Sequence, residues 1–163
     1  PRNLRSASTS TCGLHIHARR KGMTSLQIAK IVCFVNSPSN RDLVTKIARR
    51  DGNSYCKKYV KKLSSAHRDP DGTRYQAVNL EPYNTIEFRL FKGTLSYIQF
   101  LQALEFCDAL ISFCAPASRS IDDSLRGDSF NAYVANNKKQ WPALARLLSQ
   151  DSVNATITQE TEN

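Results

Sequence analysis

Two short stretches restrict the fold more than any other part of the chain: Cys12-Gly13-Leu14-His15-Ile16-His17-Ala18-Arg19 and Asn84-Thr85-Ile86-Glu87-Phe88-Arg89-Leu90-Phe91. Both alternate apolar and polar residues. That is the pattern of a half-buried β-strand, because successive side chains of a strand point to opposite faces. The first strand sends Leu14, Ile16 and Ala18 one way and His15, His17 and Arg19 the other. The second sends Ile86, Phe88 and Leu90 one way and Thr85, Glu87 and Arg89 the other. If the apolar sides share one core, the polar sides form one wall of imidazoles, a carboxylate and guanidiniums. A solvated strand has no need of such a set, whereas a metal ion and a phosphate group do.

The segments around these strands are helical or turn-like. Thr24 with Gln27 makes a capping box ahead of Ile28, Ile31, Val32 and Val35, and the helix ends before Pro38. Ser39 and Asp42 open a shorter helix with Leu43, Val44 and Ile47 inward, closing at Asp51-Gly52. Residues 52–73 are polar and lysine-rich and read as a mobile basic loop. Residues 74–80 form a strand, joined by a Glu81-Pro82-Tyr83-Asn84 turn to the Glu87 strand as an antiparallel hairpin. Ser96 and Gln99 cap a long helix to about Cys114, apolar over much of its circumference and therefore expected at the centre of the core. A Ser/Asp loop, a short helix capped by Ser129, and a last helix opened by Trp141-Pro142 follow. The order predicts an α+β fold, an antiparallel β-sheet with helices packed on one face and the histidine face left open. Residues 12–149 read as a single α+β domain or the C-terminal portion of a larger one, between a flexible tail at 1–11 and a disordered tail at 150–163.

Five cysteines, an odd number with no Cys-x-x-Cys pair, suggest neither a disulfide framework nor a zinc ribbon. A reducing, cytoplasmic setting follows. The longest apolar stretch, 95–115, is interrupted by Gln99, Gln102, Glu105 and Asp108, which argues against a membrane span. Charge is lopsided: residues 1–75 hold 16 Lys and Arg against 4 acids, whereas 76–163 hold 7 against 10. The basic half, with Arg49-Arg50 and the lysines at 57, 58, 61 and 62, attracts polyanions without choosing among them.

A carboxylate and a neutral imidazole suit magnesium or manganese, and arginines suit phosphate oxygens. On three motifs in order the chain resembles the amidoligase family, phage and bacterial relatives of glutamine synthetase and glutamate–cysteine ligase. The motifs are Cys-Gly-Leu-His-Ile-His at 12–17, Arg-Tyr-Gln-Ala-Val-Asn at 74–79, and Asn-Thr-Ile-Glu-Phe-Arg-Leu-Phe-Lys-Gly-Thr at 84–94. With the helix carrying Gln102-Ala-Leu-Glu-Phe-Cys107, the resemblance spans about residues 12–115. It implies a glutamine synthetase-like fold, incomplete here, and ATP- and Mg2+- (or Mn2+-) dependent joining of a carboxylate to an amine through an acyl-phosphate. By the same match His15 and Glu87 hold the metal, and His17, Arg19, Arg74 and Asn79 lie on the nucleotide side. Arg89 serves the transferred phosphoryl group or the substrate carboxylate, next to Glu87 as the second catalytic residue.

The family's earlier strand with an acidic pair has no counterpart, since the first carboxylate is Asp42. The expectation is therefore a C-terminal part of a longer enzyme, as the start at Pro1 suggests, a site completed by another polypeptide, or a chain that has lost catalysis. The partners implied are a nucleotide and a carboxylate substrate, in a bacterial or phage-infected cell, and no membrane. A competing reading is a phage-type basic nucleic-acid-binding or virion protein that uses Tyr55 and Tyr59 among the lysines. A third is a metal-dependent nuclease using His15, His17 and Glu87.

Overall fold

The computed structural model of the protein describes residues 12–52, 56–68 and 74–150. The tails expected at 1–11 and beyond 150 lie outside these residues, as do Tyr55 and the Asp-Pro-Asp-Gly turn. The fold is α+β. Strands β1 (Gly13–Arg19), β2 (Val78–Asn79) and β3 (Thr85–Lys92) form one antiparallel sheet in the order β1-β3-β2, so the Glu87 strand is central.

The alternation read from the sequence holds on β1, where Leu14, Ile16 and Ala18 pack against the core and His15, His17 and Arg19 are exposed. On β3 it holds only as far as Arg89. The register pairs Ile16 with Phe88 but Leu14 with Phe91, which leaves Arg89 and Leu90 together opposite His15. This β-bulge advances the face by one residue. Phe91, rather than Leu90, shares the side of Leu14, and its ring meets Phe106 edge-on at 6.1 Å.

Helix α1 (Ser25–Asn36) begins at Thr24, whose hydroxyl accepts from the Gln27 backbone N–H at 3.1 Å. The reciprocal half of the capping box does not form, because the Gln27 amide donates instead to the Ile111 carbonyl. Every residue from Gln27 to Asn36 is buried, including Lys30, whose Nζ reaches the carbonyls of Arg119 (3.3 Å) and Pro116 (3.5 Å). This helix, and not the longer one, occupies the centre. After a 3-10 turn at Pro38–Asn40, helix α2 (Arg41–Ala48) is stopped by Arg49 in the left-handed conformation, before the expected Asp51-Gly52. A φ of 59° on a β-carbon-bearing residue is uncommon, and here it turns two arginines back toward the sheet.

The expected mobile loop is in part fixed structure. Cys56 and Ala66 are buried, residues Ala66–Arg68 form a 3-10 turn, and Lys57 bridges to Gln76 in parallel. The strand expected over 74–80 shrinks accordingly to Val78–Asn79, with the Lys57 N–H donating to the Tyr75 carbonyl at 2.8 Å. Polarity alone suggested a loop. The backbone bonds that order it run to residues distant in sequence.

Helix α3 (Tyr97–Cys114) starts where expected, yet Ser96 makes no side-chain cap. Thr94 takes that role, accepting from the Ser96 N–H at 3.0 Å and contacting Gln99 Oε1 at 2.6 Å. The first half of α3 leaves Tyr97, Ile98, Phe100 and Leu104 exposed, against the expectation of a helix at the centre of the core. Helices α4 (Ile121–Leu125), capped by Ser120, and α5 (Gly127–Asn136) occupy the segment read as a Ser/Asp loop and a helix from Ser129. The last helix covers 142–150 of the described residues. It is docked by the acids that interrupt α3: Glu105 accepts from the Leu144 N–H (2.7 Å) and Asp108 from the Trp141 indole (2.8 Å). No described helix is long and apolar enough to cross a membrane. All five cysteines are free.

The helical layer is welded by aromatic rings. Phe130 of α5 lies 5.3 Å from Phe34, 5.7 Å from Phe106 and 5.4 Å from Phe113, in tilted or edge-to-face geometry. Removing that ring leaves a cavity among three helices, α1, α3 and α5. Phe130→Ala is expected to lower stability by about 3–5 kcal/mol, read as a shifted urea midpoint. A loss below ~1 kcal/mol would show that the ring is not central.

Candidate functional site

The open face of the sheet gathers its polar residues around one carboxylate. In the register His17 and Asn79 both lie directly opposite Glu87, so β1 and β2 flank it from the two sides. Glu87 is 6% exposed, which a charge tolerates only when donors surround it. Its Oε1 lies 3.0 Å from His15 Nδ1, 2.9 Å from Arg89 Nη1 and 3.6 Å from His17 Nε2. Oε2 accepts from the Asn79 amide at 2.7 Å. Burial opposes ionisation of Glu87. The Asn79 hydrogen bond, the Arg89 charge and the two imidazoles outweigh it, and the carboxyl sits below its ordinary value.

His15 is shifted down as well, first by burial and then by the Arg89 charge, with Glu87 opposing and Arg50 and His17 adding to the depression. At neutral pH its ring is therefore uncharged. Two lone pairs would repel at 3.0 Å, so the ring proton sits on Nδ1 toward Glu87, and Nε2 keeps its lone pair. His17 is held on its other side, Nδ1 lying 3.1 Å from the Thr85 hydroxyl. The side chains of His15 and His17 are 38% and 49% exposed, so both rings reach solvent while their anchor does not.

Arg50 holds the bulge beside His15, donating from Nε to Leu90 O at 3.0 Å and from Nη2 to Arg89 O at 2.6 Å. Arg49 reaches a further carbonyl of the strand, Lys92 O, at 2.8 Å. The Arg49-Arg50 pair, expected as an anion-attracting cluster, is thus committed to the backbone of β3. Gly13 makes room for this clamp, since a β-carbon there would stand 3.1 Å from Arg50 Nη2 and 3.4 Å from His15 Nε2.

The structure brings His15, His17, Glu87, Arg89 and Asn79 together. Arg19 shares the face, exposed at the end of β1 opposite Thr85. Arg74 is not part of the cluster: it lies on an exposed turn and donates to the Tyr75 hydroxyl at 3.0 Å. Asn79, expected on the nucleotide side, is buried with both ends engaged, its amide on Glu87 and its oxygen accepting from the Glu81 N–H. Here it positions Glu87. Sequence reasoning missed the clamp because nothing local distinguishes a surface Arg-Arg pair from one folded over a strand. Among the described residues no group of three or more His, Cys, Asp or Glu side chains is placed to enclose a metal ion.

Comparison with known proteins supplies no relative: no family model, no curated protein and no solved structure matches the chain.

The electrostatics give a pH dependence with a definite sign. A histidine depressed in the folded state loses stabilisation as pH falls below its unfolded value near 6.5. A depressed carboxylate loses it as pH falls below about 4.5. Melting temperature is therefore expected to fall on acidification from pH 7 in two phases, with the lower phase diminished in Glu87→Gln. In Arg50→Ala, removal of a nearby positive charge is expected to raise the His15 titration midpoint, measured by NMR. An unchanged midpoint would place Arg50 away from the ring.

Proposed function

We propose that the wall is the phosphate- and carboxylate-handling face of an ATP-dependent carboxylate–amine ligase site, in line with the motifs at 12–17, 74–79 and 84–94. The observation that carries this reading is the ionised Glu87, which holds Arg89 and a neutral His15 in fixed positions on rigid strands. Acyl-phosphate chemistry asks the protein for positioning and charge neutralisation rather than for a nucleophile. Arg89 is suited to neutralise anionic oxygens of the reacting group, its side chain only 13% exposed and its Nε without a hydrogen-bond partner among the described residues. His15 Nε2, backed through the ring by Glu87, is suited to accept a proton from an attacking amine. Arg19 and His17 extend the same face toward nucleotide phosphates.

The donor set decides how well the expected cofactors suit these residues. ATP phosphates suit a wall of arginine and imidazole. Magnesium does not suit it as it stands, because both oxygens of Glu87 already face N–H donors and no second carboxylate joins the cluster among the described residues. A hard ion preferring near-octahedral oxygen ligation needs carboxylates from outside this wall.

Titration calorimetry with ATP, with and without magnesium, tests the reading. Arg89→Ala is expected to weaken ATP binding at least about tenfold, the worth of one charge-assisted hydrogen bond. Glu87→Gln is expected to weaken it less while letting the His15 titration move. If the protein binds no ATP, or Arg89→Ala leaves the affinity unchanged, the ligase reading falls.

A further inference from the structure

A concave site lies beyond the β2 edge of the sheet, separate from the histidine wall. It is a cavity of about 420 Å³ between the end of α1, the start of α2 and the segment 57–60. That volume lies in the range of small-molecule sites. Its charged lining is Arg41, Lys57 and Lys58 against a single carboxylate, Asp51. Asp51 is shared: Arg41 grips it through Nε (3.1 Å) and Nη2, and Lys58 donates to it from Nζ at 3.3 Å. Two positive charges therefore remain in excess. Tyr59, which is 40% exposed, also lines the cavity.

The segment carrying these groups is held at every second residue. Lys57 exchanges backbone bonds with Tyr75 (2.8 Å) and Ala77 (2.9 Å). The Tyr59 N–H donates at 2.9 Å to Oδ1 of buried Asn36, whose own amide is tied to Val32 O at 2.8 Å. The Lys61 carbonyl accepts from the Cys33 thiol at 3.5 Å. Such anchoring makes a pre-formed site out of what composition alone reads as a solvated lysine run. Lys61 Nζ lies over one face of the Tyr59 ring, 5.6 Å from its centroid, and Lys62 is next in the chain.

An aromatic face flanked by excess positive charge is the combination that takes a flat base together with its phosphate. We propose that this cavity binds a nucleotide unit, with its base against Tyr59 and its phosphate on Arg41 and Lys57. The nucleotide is either free or one residue of a single strand that continues over Lys61 and Lys62. The site does not depend on the ligase reading of the wall.

Fluorescence anisotropy with a labelled thymidine oligonucleotide and calorimetry with thymidine monophosphate, each at low and at physiological salt, test the proposal on the full chain. Tyr59→Ala is expected to weaken binding about tenfold, as loss of one stacking platform does, while Tyr59→Phe keeps it. Lys57→Glu is expected to weaken binding and to flatten its salt dependence. The anchoring bonds at Lys57 and Tyr59 are made by the backbone, so these variants leave them in place. An oligonucleotide bound much more tightly than the monophosphate marks a strand as the ligand, and equal affinities mark a free nucleotide. No saturable binding of either probe would overturn the proposal. So would binding indifferent to both Tyr59→Ala and Lys57→Glu, or binding lost only in Arg89→Ala, which would place the ligand on the wall instead.

Discussion

The ionised Glu87 in the central strand is the constraint on which the polar side of this protein depends. A buried carboxylate is tolerated only when paired and hydrogen-bonded, and removing a partner from such a group costs about 3–5 kcal/mol. Here the partners come from all three strands: His15 and His17 from β1, Asn79 from β2 and Arg89 from β3 itself. The charge thus ties strand register to site geometry. A slip of β1 by one residue would turn His15 and His17 to the core face. The apolar residues of β1 and β3, packed against the helical layer, hold the same register from the other side.

The bulge at Arg89–Leu90 adds a second level of organisation. It lets β3 bury two consecutive side chains, Leu90 and Phe91, while Arg89 still reaches Glu87. Arg50 binds the two carbonyls of the bulge, Arg89 O and Leu90 O, with one guanidinium fork. Three features far apart in the chain therefore form one device. Gly13 leaves the space, the left-handed Arg49 brings Arg50 around, and the bulge receives it. The orientation of His15 and Arg89 is consequently coupled to helix α2, although α2 contributes no residue to the wall.

The two faces of the basic half also part company. Arg49 and Arg50 spend their charge on backbone carbonyls, and Arg20 reaches toward the carbonyls of Leu80 and His67. Lysines at 57 and 62 are exposed, and Lys61 lies over the Tyr59 ring. A net positive charge counted along the chain is thus divided between internal scaffolding and a surface open to anions. Only the latter bears on binding.

Much of the site was legible in the chain itself. Period-two alternation assigned His15, His17, Glu87 and Arg89 to one face, and that follows from strand geometry without reference to the rest of the fold. Caps at Thr24 and the stop before Pro38 were equally local, as were the antiparallel hairpin into β3 and the α+β class. The bulge, the ordering of 56–68, the central place of α1 over α3 and the role of Asn79 were not. Each depends on partners distant in sequence: Leu14 against Phe91, Lys57 against Gln76, Gln27 against Ile111, Asn79 against Glu87. Local pattern determines which side chains share a face, because the backbone repeat is short and fixed. Tertiary structure alone decided which of those groups meet, which charges are consumed inside and which remain outside, because hydrogen bonds and burial link residues that no short repeat connects.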